Sequence, residues 1–163
     1  MKKLFVFTAL ICSTAILSAC GDKTVNGKNG MQELAREYYG DDTLILSDTL
    51  NNDNQELAWF VSGKAPDELC YATAFGVEGD DSYKFIADQT ATQNISDIWT
   101  CLWYGTIAFH IENPECTEIK IVSSQGVEMI SVDTVPCSKY FSYKDTSELD
   151  YYFLDKEGNE ITG

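Results

Sequence analysis

Positive charge is scarce in this chain: 11 Lys and Arg stand against 26 Asp and Glu, with one histidine and three prolines. So few cations cannot displace the counterions of a phosphate backbone, which excludes nucleic acid as a partner. They also disfavour lying flat on anionic lipid. A lone histidine, His110, rules out a zinc site built on several imidazoles and leaves any Ser-His-Asp or Cys-His relay a single base. The sequence contains no G-x-S-x-G elbow and no S-x-x-K motif, so no serine carries the usual marks of activation. No two cysteines have C-x-x-C spacing, which removes thioredoxin-like redox centres and zinc knuckles. The apolar run Leu4 to Ala19 carries no charge, has sixteen residues and falls short of the roughly 20 that a spanning helix needs.

What is present begins at the amino terminus. Lys2 and Lys3 precede the run LFVFTALICSTAILSA, which ends in small residues before Cys20; this is the three-part layout of an export signal. With its last residues Leu17, Ser18, Ala19 and Cys20, the segment resembles the lipoprotein signal peptides that bacteria cut with the type II signal peptidase. The resemblance implies that residues 1–19 are removed and that Cys20 becomes the first mature residue, with a diacylglyceryl group on its sulfur. Each buried methylene contributes about 0.8 kcal/mol, so two acyl chains hold where one is marginal. The expected address is therefore the cell membrane, lipid-anchored on its extracytoplasmic face. Gly21 stands where an Asp would retain a Gram-negative lipoprotein at the inner membrane, and both Gram-positive and Gram-negative hosts stay open.

Beyond the signal, residues 20–28 read as a polar tether and residues 29–163 as a single β-rich extracytoplasmic domain, with a division into 29–98 and 99–163 also open. Without its first 19 residues the chain keeps nine basic residues against 26 acidic ones, spread as a solubilising surface. Cys12 leaves with the signal and Cys20 takes the lipid. Cys70, Cys101, Cys116 and Cys137 then form an even set in an oxidising compartment, where two disulfides are expected. Of three connectivities we favour Cys116 with Cys137, which bracket the hairpin TEIKIVSSQGVEMISV, and so Cys70 with Cys101.

The fold class expected is mainly β, α+β at most: a short N-terminal amphipathic helix, then antiparallel strands, the second half a small β-sandwich-like unit. One helix is predicted over Gly30 to Tyr39, with Asn29 as N-cap, Gln32 completing a capping box and Gly40 at C′. Period-two patterning then predicts strands at 43–50, 56–62, 68–77, 83–88, 100–112, 118–122, 127–132, 140–143 and 151–154. Within TIAFHIE, Ile107, Phe109 and Ile111 point one way and Thr106, Ala108 and His110 the other, as in a half-buried sheet.

Three chemistries remain for the site. His110, beside Glu112 on the more polar face, reads as an exposed sheet histidine, so no catalytic residue is assigned. A carboxylate pair could hydrolyse glycosides without histidine, but 26 acids offer no way to choose one. Calcium would want oxygen-rich loops such as Asp80 and Asp81 or Asp155, Glu157 and Glu160, yet neither matches D-x-[DN]-x-[DN]-G; no metal or other cofactor is assigned. The run WTCLWYG places Trp99 and Trp103 on one face and Tyr104 on the other, either core or an aromatic patch for a ligand. The sequence thus points to a membrane-anchored lipoprotein that binds an envelope protein or a cell-wall ligand, or scaffolds, without catalysis. The alternatives are a small envelope hydrolase using a carboxylate pair and an inhibitor-type module using the aromatic patch.

Overall fold

The computed structural model describes residues 23–64, 68–103, 105–144 and 149–162, so the signal segment, Cys20 and Tyr104 lie outside the described residues. Twelve strands and one helix follow in chain order: β1 (Thr24–Asn26), α1 (Gly27–Tyr39), β2 (Leu44–Leu50), β3 (Gln55–Ser62), β4 (Leu69–Gly79), β5 (Ser82–Thr90), β6 (Thr92–Ile95), β7 (Ile98–Trp103), β8 (Thr106–Ile111), β9 (Glu118–Ser123), β10 (Gly126–Ser131), β11 (Cys137–Ser142) and β12 (Asp150–Leu154). They build three antiparallel sheets. The first has the order β1-β5-β4-β3-β2, the second β11-β8-β7-β6 and the third β10-β9-β12. The chain is mainly β, as its patterning predicts.

Side-chain alternation stacks these sheets into layers. Along β3 the even residues Ala58 and Phe60 join Met31, Leu34 and Ala35 of α1 and Phe75 of β4 in one apolar cluster, so α1 covers the outer face of the first sheet. The odd residues Leu57 and Trp59 face the other way and meet Cys101 and Ala108 of the second sheet, together with Cys70, Ala72 and Ala74 of β4. The second sheet turns Ile98, Ile107, Phe109 and Ile111 from its far face onto Ile119, Ile121 and Phe153 of the third. All six residues of β8 are buried. The sequence TIAFHI alternates as read, but both of its faces are covered, not one. Two aromatic anchors fix these contacts: Tyr39 stacks on Tyr71 at 4.0 Å between ring centroids, and Phe109 meets Phe153 edge to face at 5.5 Å.

Several local expectations change. The helix begins at Gly27, and Asn26 occupies the N-cap position without a side-chain capping bond. Gln32 does not complete a capping box. Its amide reaches across to the start of β2, donating to the Thr43 carbonyl and accepting the Ile45 N–H, both at 2.6 Å. Strand β1 pairs with β5 through Thr24, Val25 and Asn26, so part of the stretch expected as tether belongs to the sheet. The packing there is close: a Cβ on Gly30 would sit 3.0 Å from that of Val25. The single strand expected over 100–112 is a hairpin of β7 and β8, reversed at Gly105 with φ of +75°, a conformation that favours glycine.

The four cysteines also correct an expectation, since they are free thiols with no pair at bonding distance. Cys101 Sγ points to the Gln89 side-chain carbonyl at 2.9 Å, and Cys116 Sγ to the backbone carbonyl of Glu118 at 3.8 Å.

Phe109→Ala should remove about 3 to 5 kcal/mol of stability, because it empties a site sealed between two sheets. Met129→Ala, on exposed β10, should change it by no more than about 0.5 kcal/mol. Urea unfolding of both variants checks the difference, and equal midpoints would contradict the layered core.

Candidate functional site

The central layer brings one polar row together. In the second sheet Ser138, His110 and Trp99 are cross-strand neighbours. In the first sheet Ser47 lies opposite Trp59. The two rows face each other: Ser47 Oγ is 2.7 Å from His110 Nδ1, and His110 Nε2 is 3.1 Å from Glu112 Oε1. An ionised carboxylate only accepts, so Nε2–H donates to Glu112 and Nδ1 accepts the Ser47 hydroxyl. The imidazole lies between two indoles, with centroids 5.8 Å from Trp59 and 5.5 Å from Trp99. The expected exposed sheet histidine is therefore fully buried, while Glu112 keeps 38% of its side chain in solvent.

The atoms match a serine, base and acid in sequence, but the surroundings do not suit a relay. A general base must reach a substrate proton, and this ring has no exposed surface. Ser47 and His110 line neither of the two cavities described below. The arrangement works as a strut that ties β2 to β8 and satisfies a buried imidazole. Burial disfavours the imidazolium and lowers the His110 pKa, with the hydrogen bond and charge of Glu112 opposing. Trp59 Nε1 and Ser138 Oγ in the same layer have no hydrogen-bond partner among the described residues.

A second cluster sits where the amino end of α1 meets the first sheet. Asp48 and Glu56 are diagonal neighbours on β2 and β3, and their carboxyl groups hydrogen-bond to each other. Lys28 Nζ reaches both oxygens of Asp48, at 2.8 and 2.6 Å. Burial, then the hydrogen bond and charge of Asp48, push Glu56 up to about 7. Burial also pushes Asp48 upward, but the hydrogen bonds of Glu56 and Lys28 outweigh it and hold that carboxyl below its usual value. The two acids thus meet beside one cation. Sequence gives no hint of this pair, because its members are eight positions apart on different strands.

The two cavities lie elsewhere. One, of roughly 480 Å³, is a groove along the edges of β10 and β11, lined by Glu128, Met129, Ile130, Lys139, Tyr140, Phe141 and Ser142 with Thr49 and Asn52. The Tyr140 hydroxyl donates to Asn52 Oδ1 at 2.8 Å across it. Both strands are sheet edges, so each has one row of backbone groups without a strand partner. The other cavity, of roughly 520 Å³, lies between β1 and α1.

The aromatic residues singled out by sequence divide. Trp99 and Trp103 pack against the cluster between the first two sheets, and no aromatic side chain is among the exposed large hydrophobic ones of the described residues. In the last turn Asp155 accepts the N–H groups of Glu157 and Asn159 and the Asn159 side-chain amide, so its oxygens close the turn. No three His, Cys, Asp or Glu side chains converge as a metal site among the described residues. Comparison of the chain with protein-family models, curated proteins and solved structures finds no match.

Glu56 is raised from 4.5 to about 7 on folding, so its contribution is present below pH 4.5 and is lost as pH rises through 7. His110 is lowered from 6.5, so its contribution is present above that pH and is lost as pH falls below it. Glu56→Gln should therefore flatten the decline of the urea midpoint between pH 4.5 and 7, and His110→Gln should weaken the decline on the acid side of pH 6.5. Unchanged profiles in both variants would refute these assignments.

Proposed function

We propose that this chain is a lipoprotein, held through acyl chains on Cys20 at the extracytoplasmic face of a bacterial cell membrane, whose layered β domain binds or scaffolds and does not catalyse. The observation that carries the anchor is the order of Lys2 and Lys3, an uncharged run of sixteen residues and LSAC ending at Cys20. Strand β1 starts at Thr24, four positions later, so the leash spans at most roughly 13 to 14 Å and the domain stands close to the lipid surface.

Two observations support a non-catalytic domain. The only imidazole is sealed between indoles and spent on a strut. The carboxyl pair is hydrogen-bonded, whereas glycosidases hold theirs roughly 5 to 9.5 Å apart to admit a sugar carbon or a water. We assign binding to the groove beside β10 and β11, where unpaired strand edges suit an extended segment of another envelope protein. The platform of Trp99, Trp103 and Tyr104 is a poorer choice, since both indoles pack inward.

The second reading, a small hydrolase, has one specific observation in its favour: Glu56 titrates near neutrality, where an acid-base catalyst works best. Turnover of cell-wall fragments or peptides by the purified domain, abolished by Glu56→Gln, would replace the binding module with that enzyme.

In its native cell the protein should partition with membranes, and mass spectrometry should find a diacylated Cys20 at the mature amino terminus. Cys20→Ser should abolish acylation and move the chain out of the membrane fraction. An unmodified Cys20 or an intact Met1 in native material would sink the anchor.

A further inference from the structure

We propose that β10 is the edge that receives the partner, and that the partner is an extended segment of net positive charge with apolar side chains at alternate positions. This rests on the reading of the groove as the binding site and narrows it to one strand and one ligand chemistry.

The three sheets have six end strands, β1 and β2, β11 and β6, β10 and β12, and all but β10 carry a device that discourages pairing with another chain. Strand β1 has three residues. The ladders of β2 and β6 shift register, between Ile45 and Ser47 and between Gln93 and Ile95. The end of the chain folds back along β12, where Leu154 bridges Glu160 and the Ile161 N–H donates to the Phe153 carbonyl. On β11 stands Lys139, next to Tyr140 with its tie to Asn52. Strand β10 has none of these. Its residues GVEMIS pair with β9 from Gly126 to Ser131 without a shift, and they include no lysine and no proline.

Alternation along β10 sets what the arriving strand should carry. Val127 and Met129, paired with Val122 and Lys120 on the outer face of the third sheet, are 61% and 46% exposed. Side chains directly opposed on paired strands lie about 4.5 to 5.5 Å apart, so apolar residues at alternate positions of the partner would cover both. Backbone pairing then supplies affinity and the alternate side chains supply selectivity. The groove holds one side chain of each sign, Glu128 and Lys139, and does not choose a charge for the ligand. The chain around it does, because its 26 acidic residues against 11 basic ones attract a cationic segment and repel an anionic one.

The test mixes the full-length protein, in neutral detergent, with a short synthetic peptide that alternates valine and lysine. Matched peptides carry glutamate or serine in place of lysine, and a fourth is the valine-lysine peptide N-methylated at every residue, with no backbone N–H left to donate. Affinity is titrated and backbone hydrogen exchange is mapped by mass spectrometry. The valine-lysine peptide should slow exchange across residues 126–131 and bind about tenfold more tightly than the glutamate peptide, an advantage that salt reduces; the N-methylated peptide should protect nothing. Protection by the N-methylated peptide would reduce the contact to charge and overturn strand pairing. Equal binding and protection by the glutamate or serine peptide would uphold pairing on β10 and overturn the basic partner. Slowed exchange at residues 137–142 in place of 126–131 would overturn the choice of β10 and keep the groove, whereas no protection of either strand by any unmethylated peptide would overturn the groove reading as well.

Discussion

Every residue of β8 is buried, and the other layers follow from that. A strand of an antiparallel sheet commonly gives one face to water, but here TIAFHI needs a partner layer on each side. Its apolar face meets the third sheet through Ile107, Phe109 and Ile111. Its mixed face meets the first sheet through Ala108 and His110. Removing either neighbour would expose a face of the central sheet.

The mixed face sets the condition for a polar side chain inside the stack. Leaving a buried donor or acceptor unmade costs about 1 to 3 kcal/mol, and His110 has two such nitrogens. Ser47 and Glu112 satisfy both, and two indoles pack close to the ring. The same arrangement that meets the imidazole's needs withdraws it from solvent. Groups still within reach of a partner lie at the rims: the Asp48, Glu56 and Lys28 cluster beside α1, and the strand edges along the groove at β10 and β11. The buried polar groups are thus spent on packing, and the polar groups open to solvent lie at the periphery.

Much of the strand content was legible because period-two patterning survives in a layered protein. Leu57 and Trp59 against Ala58 and Phe60, or Ile119 and Ile121 against Lys120, announce strands with two unlike faces. What period two cannot say is whether the second face is wet or covered. Thr106, Ala108 and His110 are small or polar enough to read as solvent-facing, and only the arrival of Ser47 and Trp59 from more than forty positions earlier shows otherwise. The helix was legible from Met31, Leu34 and Tyr38, whereas its true start was not, since Gly27 opens it without a capping side chain. The site was the least legible part. The pairs Ser47 with His110 and Asp48 with Glu56 are made by sheet stacking and strand register, and no local motif records either.

Strand β1 has a mechanical side. It is an edge strand of three residues, joined to β5 at Thr24, Val25 and Asn26 and running directly into α1. If the chain is fastened at Cys20, any drag on the domain, from flow or from a partner moving away, loads that short ladder before it reaches the sheet stack. The ladder would be the first contact to yield, and it would lengthen the leash by the residues it releases before the load passes through α1 to the sheet stack.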